Sequence, residues 1–227
     1  TNHVNATLDD SNSYVVNTLD NYSEEQISLM CSQIAQMRQE GAEFVVVSLH
    51  FGERYVSTVS DEERALAQRL VESGADVIFG SYPHVLKPME VITAQAEDGT
   101  SRTGVVFYSL GNFLSSMQYQ SSNAYPRDLG AVASVLISKT SDGVQIDGIE
   151  IVPTYVDWTD EDIAVLPICE VVDNPTAFES RFRDDAASQL DQQRIETGYE
   201  SVIQTIIGES GLTYTYSDYK YQISLEK

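Results

Sequence analysis

Two histidines stand directly after stretches of the sequence that are rich in β-branched and aromatic residues. His50 ends "FVVVSLH" and His84 ends "DVIFGSYPH". Gly52 follows the first stretch, and Gly80 and Pro83 precede the second histidine, so both imidazoles are predicted in tight loops at a rim rather than in the core. Imidazole is the commonest protein ligand for transition metals. The pair therefore indicates a metal site, although a hydrogen-bonded rim histidine is an equally good interpretation of His50 alone.

A third loop follows the stretch "VVFYSL" and contains Gly111 and Asn112. Asparagine in such a loop is either a turn former with a left-handed backbone or an amide that orients a ligand. The spacing favours the turn and leaves the orienting role open. Asn112 is therefore a candidate binding residue whose role depends on where this loop lies.

The elements before the two histidines predict that they lie close together. Helices are predicted over residues 23–40 and 61–73, because Ser23 opens the first stretch and Ser60 precedes the second. Each serine is followed three residues later by Gln or Glu, which is the capping-box pattern, and each stretch is followed by glycine. The strands "AEFVVVSL" and "ADVIFG" follow these helices and show no polar alternation, which is typical of strands covered on both faces. A strand, a helix and a strand form a βαβ unit with parallel strands. Both histidines should leave the sheet at the same edge, where such sheets bind ligands.

The rest of the chain predicts antiparallel pairing and a separate tail. "KPMEVITA" pairs with "TGVVFYSL", and "GAVASVLIS" pairs with "GVQIDGIEIVP", each around a turn-rich segment, so the second half of the sheet is expected to be antiparallel. From Asp157 a charged, helix-prone segment precedes "LTYTYSDYKYQISLE", which predicts an edge hairpin. We therefore expect a main domain over residues 1–156 and a tail over 157–227 that packs on it and carries no chemical motif.

Composition excludes several classes of protein. The chain has 13 Lys and Arg against 35 Asp and Glu, a formal net charge of −22, so nucleic acid and anionic membrane surfaces are unlikely partners. Its 42% hydrophobic residues predict a folded protein. Cys31 and Cys169 have no CxxC spacing, which argues against a zinc knuckle or a disulfide framework. No apolar run approaches the roughly 18 residues of a membrane span. The missing initiator methionine predicts a fragment or a processed chain.

The three loops together resemble a known family. "SLHFG", then "LVESGADVIFGSYPHVLKPMEV", then "VVFYSLGNF", in this order, resemble the CapA family of poly-γ-glutamate capsule biosynthesis proteins, within the calcineurin-like metallophosphatase superfamily. The resemblance covers residues 2–153. It implies an α/β (α+β) fold, a layered αββα sandwich of metallophosphatase type with mixed sheets. It also implies that this chain is the C-terminal portion and lacks the N-terminal half of the sandwich.

The resemblance also implies a cofactor, partners and a location. A divalent transition metal (Mn, Fe or Zn) would bind at the strand edge, with His50 and His84 among its ligands and Asn112 in the adjoining loop. Asn2 and His3 look like the family's early Asn-His loop, but their spacing to the first helix fits a later segment better. The expected partners are the capsule polymer or its synthesis machinery, and either the missing half or a second copy of the chain. The expected location is the extracellular face of the cell membrane, with an anchor upstream of this chain.

The sequence departs from the family at the rim of the expected site. Tyr82 replaces the first histidine of the usual Gly-Ser-His-Pro-His loop, Arg54 replaces a Glu, and Lys87 stands where Gln is common. A neutral phenol, with a pKa of about 10, is a poor metal ligand. The favoured interpretation is a capsule biosynthesis or export protein with a degenerate metal site. The alternatives are an active metal-dependent phosphoesterase or hydrolase, a non-catalytic anion-binding or scaffold module, and an interaction domain whose contact surface is the segment after Asp157. The anion-binding alternative predicts that Arg54 and Lys87, with Arg102 or Arg127, cluster near His84.

Overall fold

A computed structural model describes residues 19, 22–95, 99, 101–117, 126–141, 143–158, 163–174, 185–208 and 210–225, with side chains except at 158 and 185–193. The elements in chain order are α1 (Glu24–Gln39), β1 (Val46–His50), α2 (Asp61–Ser73), β2 (Val77–Ser81), β3 (Met89–Gln95), β4 (Ser101–Phe107), β5 (Leu129–Thr140), β6 (Gly143–Trp158), β7 (Ile163–Pro167), α3 (Ile168–Asp173), α4 (Asp185–Ile207), β8 (Thr213–Ser217) and β9 (Lys220–Ser224). In this part of the chain, no helix is long and apolar enough to span a membrane.

The first sheet has the strand order β1-β2-β4-β3. β1, β2 and β4 are parallel, and β3 is antiparallel to β4. His50 is the register partner of Ser81, and Phe79 is the partner of Phe107. The carboxyl ends of the three parallel strands therefore lie at one edge. The prediction that His50 and His84 leave the sheet at the same edge is confirmed.

The second sheet is antiparallel and has the order β5-β6-β9-β8, with β7 paired to the end of β6. All three predicted hairpins are present, but they do not extend a single sheet. The β3–β4 hairpin belongs to the first sheet, and the β5–β6 and β8–β9 hairpins belong to the second. Where the structure describes the chain, a bridge between Gly111, in the loop after β4, and Gly130 in β5 joins the backbones of the two sheets.

The predicted helices are both present, although only one has the predicted cap. Glu63 Oε2 accepts a hydrogen bond from the Ser60 backbone nitrogen (2.7 Å), and Ser60 Oγ accepts one from the Glu63 backbone nitrogen (3.2 Å), which completes the capping box of α2. At α1 the Ser23 side chain makes no capping hydrogen bond, so the capping box predicted there is wrong. The two acidic residues in the first turn of α1 still suit the positive end of the helix dipole.

Two apolar clusters cover the two faces of the first sheet. Ile78 and Val106 pack with α1 and α2 on one face, and their neighbours Val77 and Val105 pack on the other with side chains of β5, β6, α3 and α4. Because both faces are buried, the strands have no polar alternation in sequence. The chain is thus a mixed α/β (α+β) fold with helices and two sheets.

The segment after Asp157 shares this core. Ile168, Val202 and Ile223 are buried in the same cluster as the first sheet, and β9 pairs with the middle of β6. The predicted boundary after residue 156 lies inside β6. The expected division into a domain and a tail stays a prediction.

Candidate functional site

The loops after β1, β2 and β4 turn sharply at the carboxyl edge of the first sheet. Gly52 (φ 91°) and Gly111 (φ 72°) provide the left-handed turns after β1 and β4. In the loop after β2, Tyr82 (φ 105°) and His84 (φ 60°) have left-handed backbones without being glycine. Such conformations are costly for residues with a Cβ and are concentrated at functional sites. They hold both rings at the rim of the sheet.

Asn112 orients His84. His84 Nδ1 lies 2.9 Å from Asn112 Oδ1, and Asn112 Nδ2 donates to the backbone oxygens of Arg127 (2.8 Å) and His84 (3.4 Å). Because the amide nitrogen faces two carbonyls, its oxygen must accept, so Nδ1 of His84 carries a proton, and in the neutral ring the lone pair lies on Nε2. The sequence favoured a turn role for Asn112. That preference is wrong, because Gly111 adopts the left-handed conformation and Asn112 is 8% exposed with its amide on the histidine.

His50 approaches His84 by way of Tyr82. The centroid of the Tyr82 ring lies 4.6 Å from that of His50 and 6.3 Å from that of His84. His50 is an exposed residue at the end of β1, yet partial burial of its ring lowers its pKa, and electrostatic interactions with His84 and Arg54 lower it further. A lowered pKa keeps the imidazole neutral at pH 7, the form that can accept a proton or ligate a cation.

Two arginines stack on the tyrosines that flank His84. The Arg54 Cζ lies 5.3 Å from the centroid of the Tyr82 ring, and the Arg127 Cζ lies 5.2 Å from that of Tyr55. The Tyr55 ring in turn lies 6.1 Å from the His84 ring. Arg54 and Arg127 thus both lie at the edge that carries the two histidines, as the anion-site hypothesis requires.

Lys87 and Arg102, the other two cations named by that hypothesis, are not exposed at this edge of the sheet. Lys87 is 1% exposed, and its Nζ lies 2.6 and 2.9 Å from the two carboxylate oxygens of Glu63, so it is neutralised beneath the rim. Arg102 is the second residue of β4, at the end of the strand opposite the site. The predicted cluster of Arg54 and Lys87 with Arg102 or Arg127 is therefore wrong for Lys87, and Arg127 rather than Arg102 accompanies Arg54.

Glu63 is the site-supporting residue that sequence reasoning did not find. It appeared only as the capping residue of α2, yet it is 2% exposed and also pairs with Lys87. A Cβ on Gly52 would lie 2.4 Å from Glu63 Oε1 and 3.2 Å from Lys87 Nζ, so the first loop rests directly on the ion pair. The pair is 24 residues apart in sequence, and no local pattern signals it.

The donors for a metal ion are few in the described ranges. No group of three or more His, Cys, Asp or Glu side chains there is arranged to hold an ion. His50 and His84 form a pair of imidazoles at one edge. Asn2 and His3, the other residues considered as an Asn-His loop, lie outside the described residues.

The three loops at this edge of the sheet lie within a segment that matches a known protein family. A family model described as "Bacterial capsule synthesis protein PGA_cap" matches residues 2–117, which contain all three loops. The chain is 39% identical over 83 residues to "Capsule biosynthesis protein CapA" of Bacillus anthracis, which covers 37% of this chain and 18% of that protein. It is 45% identical over 73 residues to "PGA biosynthesis protein CapA" of Bacillus subtilis (strain 168), which covers 32% of this chain and 17% of that protein.

These matches confirm the family resemblance that the loops indicated. The matched segments span less than a fifth of the length of either relative. The expectation that this chain is a C-terminal portion is not addressed by them and stays a prediction.

Proposed function

Because the chain belongs to the bacterial capsule synthesis protein family PGA_cap, we propose that it acts in the synthesis or export of a poly-γ-glutamate capsule. The observation that carries the proposal is that the family match includes His50, His84 and Asn112, the residues gathered at one sheet edge. The names of the two relatives, which refer to capsule and PGA biosynthesis, support the same role.

The proposal includes a finer description of the fold and its location. We propose a metallophosphatase-type αββα sandwich, in which an upstream segment or a second copy of the chain supplies the remaining part. Support comes from the layering of α1 and α2 on one face of the first sheet and the second sheet on the other. We place the domain on the extracellular face of the cell membrane, anchored upstream of Thr1, in reach of the polymer or its synthesis machinery.

The proposed cofactor is a divalent transition metal, Mn, Fe or Zn, held by His50 and His84. His84 fits this role, because a metal-bound histidine commonly donates its other ring nitrogen to an oxygen acceptor, here Asn112 Oδ1. Two imidazoles are fewer than the four ligands of a typical site, so further donors must come from outside the described residues. A bound divalent cation would polarise an oxyanion or activate water.

A second candidate function is binding without catalysis. Tyr82 occupies the position next to His50 where the family usually has a third imidazole, and its neutral phenol is a weak ligand. Arg54 and Arg127 add positive charge at the same edge. These features favour a pocket that holds an anionic group of the polymer or of a precursor.

The test is the metal content of the purified chain, measured by elemental analysis for the unaltered protein and for His84→Ala, His50→Ala and Asn112→Leu. Metal should disappear in both histidine variants. In Asn112→Leu, metal affinity should fall about 10- to 100-fold, because loss of an orienting partner has that effect. Tyr219→Ala is the control and should leave the metal content unchanged, because Tyr219 is an exposed aromatic residue in the turn between β8 and β9. Metal retained in both histidine variants, or absent from the unaltered protein, would refute the metal-dependent function and leave the binding module.

A further inference from the structure

The described part of this acidic chain leaves few cations without a partner. It contains ten lysines and arginines, and seven are in ion pairs with carboxylates: Arg38, Arg64, Arg69, Lys87, Lys139, Arg194 and Lys220. The remaining three, Arg54, Arg102 and Arg127, are not paired with a carboxylate. Two of these three lie beside His84.

Arg127 has a hydrogen-bond donor that nothing satisfies. Its Nε is buried and has no acceptor, whereas buried polar groups in proteins are nearly always hydrogen-bonded. The adjacent carboxylate, Asp128, is paired with Arg194 instead, and its two oxygens accept from that arginine at 2.8 and 2.7 Å. An unmet donor on a permanently charged side chain indicates that an acceptor arrives from outside.

The stacking geometry leaves both guanidinium groups able to bind. The Cζ atoms of Arg54 and Arg127 lie over the rings of Tyr82 and Tyr55, a contact of the cation with the ring face that does not use the N–H groups as donors to an oxygen. The two tyrosine rings lie at nearly equal distances from His84, 6.1 and 6.3 Å. The nearby carboxylate of Glu63 is taken by Lys87 and does not compensate either arginine. Two guanidinium groups without a carboxylate partner therefore lie on the tyrosine rings that flank His84.

We propose that Arg54 and Arg127 form an anion clamp that binds carboxylate or phosphate oxygens of the ligand beside His84. The inference rests on the proposed function, since it names the ligand chemistry of that same site. A chain of net charge −22 repels polyanions over most of its surface. The clamp gives one place where an anionic group is attracted, so affinity should fall as added salt screens the charges.

The test is isothermal titration of the whole chain at low salt with two probes, inorganic phosphate and a γ-linked glutamate oligomer. Arg54→Gln and Arg127→Gln should each lower the affinity for the bound probe about tenfold or more, because a hydrogen bond to a charged group contributes that much. Arg102→Gln is the matched control, an arginine without an ion pair at the far end of β4. It should bind as the unaltered chain does. Circular dichroism melting of each variant checks that the fold is kept.

The two probes identify the source of the oxyanion. Binding of phosphate alone assigns the clamp to a phosphoryl group, and binding of the oligomer alone assigns it to the carboxylates of the polymer. The clamp is overturned if neither probe binds the unaltered chain, or if the two arginine variants bind as well as Arg102→Gln. Metal lost in His84→Ala together with normal anion binding by Arg54→Gln and Arg127→Gln would reject the clamp and keep the proposed function. The opposite pair of results would reject the metal and keep the clamp.

Discussion

Replacing Lys87 with methionine should destabilise the protein strongly, because it leaves the Glu63 carboxylate buried without its cation. The pair is almost fully enclosed, with side-chain exposures of 1% and 2%. Breaking such a pair from one side costs about 3 to 5 kcal/mol, since the remaining charge is uncompensated. The total stability of a domain is only about 5 to 15 kcal/mol, so this is a large share of it.

The double variant separates the charge from the packing. In Lys87→Met with Glu63→Gln no buried charge remains, and the glutamine can still accept from the Ser60 backbone nitrogen, which Glu63 does now at 2.7 Å. We expect the double variant to lose about 1 to 2 kcal/mol, the scale of the lost hydrogen bonds, and so far less than the sum of the single variants. The coupling energy of the pair is the difference between the effect of the double variant and the sum of the two single effects.

The assay is urea unfolding followed by circular dichroism for both single variants and the double variant. Lys139→Met is the control, because Lys139 pairs with Glu43 at a surface where the side chains are 66% and 56% exposed. Such a pair contributes about 0 to 1 kcal/mol. The reasoning is refuted if Lys87→Met costs no more than Lys139→Met, or if the two single effects simply add in the double variant.

Three further predictions follow from single positions. Burial raises the pKa of the Cys169 thiol to about 11. Iodoacetamide at pH 8 should therefore label the half-buried Cys31 first and Cys169 only on unfolding. Because the folded Cys169 thiol ionises at higher pH than the unfolded one, the free energy of unfolding should fall as pH rises from about 9 to 11. Gly130→Ala should lower the free energy of unfolding in urea by about 1 to 3 kcal/mol, because the new Cβ would lie 2.0 Å from the Asn112 backbone oxygen. Gly148→Ala is the control and should lower it less, because its Cβ would meet no atom closer than 3.8 Å. Equal urea midpoints for the two variants would contradict this. Tyr82→His should raise the affinity for zinc or manganese in a metal titration, because it places a third imidazole beside His50, and an unchanged affinity would argue against a metal at this edge.

Local signals in the sequence predicted the frame of the site. The capping box at Ser60 and the glycine after α2 located that helix, and the βαβ order placed His50 and His84 at one edge without any knowledge of tertiary contacts. These features depend on neighbouring residues, on the chirality of the crossover connection and on the direction of parallel strands. They can therefore be read from the order of residues.

The contacts that complete the site join residues far apart in the chain and could not be predicted in this way. Asp128 pairs with Arg194, 66 residues later, and not with its chain neighbour Arg127. Lys87 was predicted at the rim because it stands, close after His84, at a position where Gln is common in the family. Only the packing of α2 against the sheet shows that Glu63 lies beneath that loop and neutralises it.

The hydrogen bonds of Asn112 connect the candidate metal ligand His84 with Arg127 of the proposed clamp. The same amide that orients the His84 ring through its oxygen donates through its nitrogen to the Arg127 backbone oxygen. If the proposed anion shifts this carbonyl when it binds Arg127, the imidazole shifts with it, and the two proposed binding events would be thermodynamically linked. Linkage is reciprocal, and a cation on His84 must change the affinity for the anion by the same factor by which the anion changes the affinity for the cation. Asn112 is thus the residue through which occupancy of one position would be communicated to the other.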